Sequence, residues 1–373
     1  MRIGILTYAL DRPLSGISRY TLELARALAV ASSGLDLVLL TAGAAGPLAA
    51  QNRFQRVPLP GCRLWPCLVI LGNVIIPLRA RLLELDLVHD PSGATPLFFR
   101  AGRARNVVTI HDVFPWSCPD TSTLLDTLIH RYWLPRVLPR VDAVITVSQR
   151  SKADIVRYLK IPTNKIHVVY EGVSAAYLPL AAGEAAKTKV RHNLPDSYVL
   201  FVGSVEKRKN LRGLLHAYAR LRNMGEIPPL VVVGVRRWKH TGIMETLREL
   251  DLEQHVIFTG YVPDAYLPAL YSGADLFVFP SLYEGFGLPP LEAVACGTPV
   301  VCSNAASLPE VVGDATIMVN PYDVKGLAGA MHRVLTNADL REELREKGLE
   351  RARQFTWERT ARETVAVYRE VCG

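Results

Sequence analysis

An α/β fold of two doubly wound parallel sheets is predicted for this chain, and three observations predict it. Short apolar strands alternate with amphipathic helical patterns along the whole sequence, the mark of parallel βα units. The alternation pauses at an alanine-rich stretch, Val173 to Lys187, and then restarts. The 373 residues suffice for two domains of ordinary size, each with its own core.

The elements follow in order. Arg2 to Tyr8 reads as a first buried strand. Asp11-Arg12 interrupts it before it reaches signal-peptide length, and no small-residue cleavage site follows. Ser15-Gly-Ile-Ser-Arg-Tyr20 supplies a turn, with Ser18 the candidate N-cap of a helix over 18–32. Strands are predicted near 35–41, 86–89, 106–110, 142–147 and 165–169, and helices near 67–84, 121–138 and 148–159. The longest apolar run, Leu68 to Leu78, is broken by Gly72, Asn73 and Pro77 and is too short to span a bilayer. After the alanine-rich linker come strands at 198–202, 230–233, 255–258, 276–279 and 299–301, then charged helical patterns at 338–353 and 356–371.

Composition narrows the function. Hydrophobic residues make up 49% and charged residues 21%, a globular balance and not a disordered one. The net charge of +8 is compatible with nucleic acid, an anionic membrane or phosphorylated substrates. No helix-turn-helix, zinc-finger or aromatic RNA-binding signature accompanies it, so nucleic acid is not an expected partner. Arg79, Arg81, Arg100, Arg103, Arg105, Arg131, Arg136 and Arg140 crowd the first half near the apolar run, a pattern compatible with peripheral contact on an anionic membrane surface. An ordinary core helix with a solvated arginine edge is the alternative. The six cysteines form no Cys-x-x-Cys pair and no zinc spacing, and read as reduced, mostly buried thiols of a cytoplasmic protein.

The chemistry concentrates in Glu284-Gly-Phe-Gly-Leu-Pro-Pro-Leu-Glu292. The apolar run Leu276 to Phe279 before it is a buried strand, and Pro289 and Pro290 suit a first helical turn. Backbone N–H groups of Gly285, Phe286, Gly287 and Leu288 then lie at a helix N-terminus, which attracts anions. Two carboxylates around such a turn fit a ligand bearing both phosphate and hydroxyls, as a sugar nucleotide does. Phe201-Val-Gly-Ser-Val-Glu-Lys-Arg-Lys-Asn-Leu211 follows another strand, where Arg208 and Lys209 are suited to a diphosphate. Val107-Val-Thr-Ile-His111 ends a strand in a histidine, able to bond a sugar hydroxyl or stabilise developing charge. His130, His216 and His332 fall in helical patterns and need no such role.

The segment PSLYEGFGLPPLEAVACGTPVVCSN resembles the family 4 glycosyltransferases, retaining enzymes of the GT-B fold, through its Glu-x7-Glu pair, its Gly-Phe-Gly turn and Gly297-Thr-Pro-Val-Val301. The resemblance implies two Rossmann-like domains facing across a cleft: 1–180 for the acceptor, 181–356 for the nucleotide sugar, and a last helix, 357–373, that returns to the first. It assigns the ribose hydroxyls to Glu292 and a hydroxyl of the transferred sugar to Glu284. Gly287 and Leu288 would offer N–H groups to the sugar or distal phosphate, and Val262, after Gly260, a backbone contact to the base. Gly16 and Ile17 would touch phosphate from the opposite wall. Ser204 stands where relatives often carry an arginine, and Arg208 would replace it beside Lys209.

The expected reaction is transfer of a hexose from a nucleotide-diphosphate sugar to a glycan, lipid-linked or small-molecule hydroxyl. GDP-mannose is the first donor, because the His-Asp-Val-Phe-Pro and Arg-Lys loops look most like bacterial mannosyltransferases of surface polysaccharide synthesis; a UDP-hexose is the second. Asp112, Asp264 and Asp275 are isolated, no Asp-x-Asp signature appears, and neither cofactor nor catalytic metal is expected. A sugar-nucleotide epimerase on the same fold and a non-catalytic subunit of a glycan-assembly complex are the rivals.

Overall fold

The computed structural model describes all residues but 12–15, 32–33, 44–45, 49–53, 101 and 235–241. Ser15 of the expected turn therefore lies outside the described residues. The chain divides into two compact units, Met1–Gly172 with Thr356–Gly373, and Val173–Phe355.

The first unit runs β1 (Arg2–Leu6), α1 (Gly16–Ala31), β2 (Asp36–Thr41), β3 (Gln55–Pro58), α2 (Trp65–Leu82), β4 (Leu87–Asp90), β5 (Arg105–Ile110), α3 (Phe114–Ser117), α4 (Leu124–Leu128), α5 (Leu134–Val137), β6 (Ala143–Thr146), α6 (Gln149–Asp154) and β7 (Ile166–Val168). Its strands form one parallel sheet in the order β3-β2-β1-β4-β5-β6-β7. The second unit runs α7 (Ala182–Arg191), β8 (Val199–Val202), α8 (Leu211–Arg222), β9 (Leu230–Val233), α9 (Ile243–Glu249), β10 (Val256–Gly260), α10 (Leu267–Ser272), β11 (Leu276–Phe279), α11 (Leu288–Ala295), β12 (Val300–Ser303), α12 (Leu308–Val312), β13 (Ile317–Val319), α13 (Val324–Thr336) and α14 (Ala338–Ala352). Its sheet is also parallel, ordered β10-β9-β8-β11-β12-β13. A last helix, α15 (Trp357–Cys372), belongs to the first unit. The predicted α/β class with two doubly wound parallel sheets is borne out.

Sheet order fixes where a ligand can sit. The order in which strands are added reverses between β1 and β4 in one unit and between β8 and β11 in the other. In an open parallel sheet, the crevice beyond the carboxyl ends of such a strand pair is the natural binding position. The central strands reach it as buried apolar runs, with every residue of β4, β6, β8, β9, β11 and β12 buried.

Several expectations change. Ser18 is not an N-cap: α1 starts at Gly16, and the Ser18 hydroxyl donates to the Ala9 carbonyl at 2.9 Å. The helix expected over 121–138 is broken into α4, a wider turn over Ile129–Trp133 closed by the Leu134 N–H on the Ile129 carbonyl, and α5. Pro135 has no N–H to continue a regular ladder there. The linker is half helical, since α7 starts at Ala182. The apolar run at 68–78 extends at both ends into α2, 18 residues long. At 1.5 Å per residue that is about 27 Å, so length alone does not exclude a span.

Candidate active site

In the second unit, β8 and β11 lie side by side, and the loops leaving them carry the predicted cations and carboxylates. After β8 the chain makes a single tight turn, Lys207–Lys209, capped by Asn210 in the left-handed conformation, whose side chain accepts the Gly213 N–H and opens α8. After β11, residues 280–287 lead into α11. The Leu282 N–H donates to the Arg208 carbonyl at 2.8 Å, so backbone ties the two loops together.

The side chains complete the join. Glu284 accepts from Lys209 Nζ at 2.7 Å on one oxygen and from Arg208 Nη1 at 2.9 Å on the other. The Ser281 hydroxyl donates to the first oxygen at 2.5 Å. Arg208 Nη1 also donates to the Tyr283 carbonyl at 2.8 Å, and Lys209 Nζ sits 5.0 Å from the centre of the Phe279 ring. Glu284 and Lys209 are both buried. Burial alone would raise the Glu284 carboxyl, but Arg208 and Lys209 outweigh it and hold the group at about 2. Burial pushes the Lys209 ammonium below the ordinary lysine value, and Arg208 adds repulsion while Glu284 opposes the shift. Two cations thus stand on one carboxylate at the carboxyl ends of adjacent strands.

The turn into α11 is held from behind. The Ser307 hydroxyl lies 2.9 Å from the Glu284 carbonyl and 2.6 Å from that of Phe286. Gly287 takes φ +115°, and a Cβ there would stand 2.5 Å from Leu308 Cδ2. Leu288, Pro289 and Pro290 then begin the helix. Glu292 is its fifth residue, just past the first turn, and is buried with its carboxylate accepting from the Tyr271 hydroxyl at 3.1 Å. The Phe286 ring packs against Phe355 with centroids 5.8 Å apart. The Ser204 hydroxyl donates to Glu206 at 2.7 Å, and Val262, two residues past β10, is buried.

In the first unit, Gly16 and a half-exposed Ile17 begin α1. His111 directly follows β5. Its Nδ1 lies 3.2 Å from the buried carboxylate of Glu171 and its Nε2 2.9 Å from the Pro91 carbonyl. Both partners only accept, so the ring satisfies both as the doubly protonated cation. Burial would lower its pKa, yet Glu171 and the Pro91 carbonyl raise it above the ordinary histidine value. The Tyr20 ring on α1 meets His111 edge-on at 4.7 Å.

Arg208, Lys209 and Glu284 are thus brought into one cluster, Glu292 lies in the same unit, and Gly16, Ile17 and His111 lie in the other. Sequence reasoning missed Ser281, Ser307, Tyr271 and Glu171. The reasoning that found His111, a polar residue just beyond a strand's carboxyl end, applies equally to Glu171 after β7. Among the described residues no three His, Cys, Asp or Glu side chains come together as metal ligands would.

Two family models match: one described as "Glycosyl transferases group 1" over residues 184–351, and "Glycosyltransferase Family 4" over 14–177. The O-antigen chain mannosyltransferase B of Escherichia coli is 34% identical, covering 99% of this chain and all of that one. The MMP alpha-(1->4)-mannosyltransferase of Mycolicibacterium hassiacum is 34% identical over 62% of this chain and 55% of its own. The structure of Anabaena HepE in complex with UDP-glucose superposes with a TM-score of 0.80 at 18% identity, covering 99% and 100% of the two chains, a likeness of fold.

Proposed function

The chain belongs to the family 4 glycosyltransferases, with their two-sheet GT-B architecture, and from that premise we propose that it moves a mannosyl group from GDP-mannose to a hydroxyl of a glycan or lipid-linked acceptor, with retention at the anomeric carbon and without a metal ion. The observation that carries this reading is the Arg208–Glu284–Lys209 cluster at the β8 and β11 strand ends, fixed positive charge where a diphosphate would be held. Mannose is favoured by the full-length likeness to the O-antigen mannosyltransferase. A UDP-hexose stands second, supported by HepE binding UDP-glucose on the same fold.

The hard step is departure of the nucleoside diphosphate. Arg208 and Lys209 neutralise the charge that builds on it, and the N–H groups of Gly287 and Leu288 at the start of α11 add to this. Gly285 and Phe286 shape that turn, Ser204 lines the loop after β8, and the N–H groups of Gly16 and Ile17 at the start of α1 are proposed phosphate contacts. Glu284 orients the two cations and meets a hydroxyl of the sugar; Glu292 binds the ribose diol; Val262 offers backbone to the base. The leaving phosphate oxygen takes the acceptor proton on the same face, so neither glutamate becomes a covalent nucleophile. His111 supports the developing positive charge by binding the sugar. Six free cysteines fit a reducing, cytoplasmic compartment, and a lipid-linked acceptor places the reaction at the inner face of the membrane.

The test is a panel of nucleotide sugars, read first by thermal shift, since selective binding to the folded state raises its melting point. GDP-mannose is expected to give the largest shift and, with acceptor present, to yield GDP and an α-linked product. Lys209→Ala is expected to keep its fold and lose turnover by about a hundredfold or more. An inverted product, or conversion of the donor sugar without acceptor, would overturn the reading, the second in favour of an epimerase.

A further inference from the structure

Helix α2 carries two apolar stripes on opposite faces. Leu68, Gly72, Ile76 and Ala80, spaced four apart, are buried, and Leu68, Ile76 and Ala80 join the core of the first unit with Val57, Leu59 and Leu97. Ile70, Val74, Leu78 and Leu82, equally spaced, are 69%, 57%, 57% and 74% exposed. Residues four apart lie on one helical face, so the outward stripe is continuous. Leu64 and Leu71 extend it. Monomeric surfaces rarely leave such a contiguous apolar face in water.

The charges around the stripe select its occupant. Between residues 60 and 85 the only ionisable side chains with full charge are Arg63, Arg79, Arg81 and Glu84. The arginines stand at the two ends of the helix and Glu84 just beyond it. A second copy docking parallel on this face would bring arginine against arginine, and one docking antiparallel about the middle of the stripe would set Arg79 and Arg81 against the uncharged residues Asn73 and Leu71 of the other copy. A bilayer with anionic headgroups meets the apolar stripe with its acyl boundary and the arginines with its phosphates. A span is opposed by the inward stripe, which is already committed to the protein core.

We infer that α2 is an interfacial helix, lying in the plane of an anionic membrane with Ile70, Val74, Leu78 and Leu82 among the headgroups and acyl chains and Arg63 and Arg81 on lipid phosphates. The inference stands on this face alone and is independent of the identity of the sugar donor. It puts the first unit against the bilayer and leaves transfer on a water-soluble acceptor unaffected by changes to the stripe.

The test uses the full chain and vesicles of phosphatidylglycerol with phosphatidylcholine, against phosphatidylcholine alone. The chain is expected to sediment with the anionic vesicles, to be released by salt or by alkaline carbonate, and to bind the neutral vesicles at least about tenfold less. Val74→Glu/Leu78→Glu is expected to melt like the parent, because both sites are exposed, and to lose vesicle binding by about tenfold or more. Arg63→Glu/Arg81→Glu is expected to lose the preference for anionic lipid. Equal vesicle binding by the Val74/Leu78 variant, or none by the parent, overturns the inference. So does resistance to carbonate, which means a span, or a parent dimer that the same variant converts to monomer, which means a second copy.

Discussion

At the scale of single residues, the site is a set of paired charges whose pairing can be titrated. Glu284 has an ordinary value of 4.5 and is held at about 2 in the folded chain. A depressed carboxyl contributes stability that is complete above its unfolded value and is lost as pH falls through the folded one. Glu284→Gln removes one partner of a buried pair and is expected to cost on the order of 3–5 kcal/mol near pH 7. Urea unfolding of parent and variant should show that gap shrinking from about pH 5 downward and nearly closed by about pH 2; a pH-independent gap would assign Glu284 a purely steric role. His111 behaves with the opposite sign. Its raised pKa contributes stability that is full below the ordinary 6.5 and disappears as pH rises through the folded value. Tyr20, Asp112, His89 and Asp90 surround it, but Glu171 is its bonded carboxylate. Glu171→Gln should therefore move the His111 imidazole titration, followed by NMR, to lower pH. An unmoved titration would mean that the Pro91 carbonyl alone fixes the cation.

At the scale of elements, the turn from β11 into α11 shows what a sequence exposes and what it hides. Gly287 is legible as a turn residue, and its conformation gives the reason, because φ +115° is a region that L side chains rarely adopt. Gly287→Ala adds that strain to a contact with Leu308 and is expected to cost about 1–3 kcal/mol and to displace the α11 N-terminus. A melting curve and a nucleoside diphosphate titration should fall together, and unchanged affinity would detach that terminus from the ligand. Central strands such as β8 and β11 are legible because burial on both faces demands an unbroken apolar run. β3, at an edge of the first unit's sheet, has the sequence Gln-Arg-Val-Pro with a single buried residue, and β13, at an edge of the second unit's sheet, is three half-buried residues, so neither carries that signal. Within the site, Glu284, Arg208 and Lys209 are legible through their strand-end positions. Ser281, Ser307 and Tyr271 are not, since a hydroxyl that braces a turn looks in sequence like any other surface or core hydroxyl.

At the scale of the whole molecule, the chain leaves the first unit at Gly172 and re-enters it at Thr356. The helical period of 356–371 is plain in the sequence, but an amphipathic stripe fits any apolar face, so periodicity alone does not say which unit it covers. The structure supplies specific bonds. Thr360 donates to the Tyr170 carbonyl at 2.8 Å, the Tyr368 hydroxyl lies 2.6 Å from His89 Nδ1, and Trp357, Ala361, Val365 and Tyr368 are buried. His89 in turn lies 2.8 Å from Thr109 on β5, and burial, with His111 close by, holds its pKa down to about 3, so it stays neutral across physiological pH. α15 is therefore bonded to β4, whose end leads to Pro91, and packs on β5, whose end leads to His111. Tyr368→Phe should leave a buried ring nitrogen without its partner and cost about 1–3 kcal/mol. Deleting 356–373 should do far more, and selectively. Amide exchange in β4 and β5 should accelerate toward that of an unfolded chain, while β8, β9 and β11, which belong to the other unit, keep their protection. Equal loss of protection in both sheets would mean that the two units fold only as one, and that the sequence neighbours of α15 depend on it as much as its packing partners do.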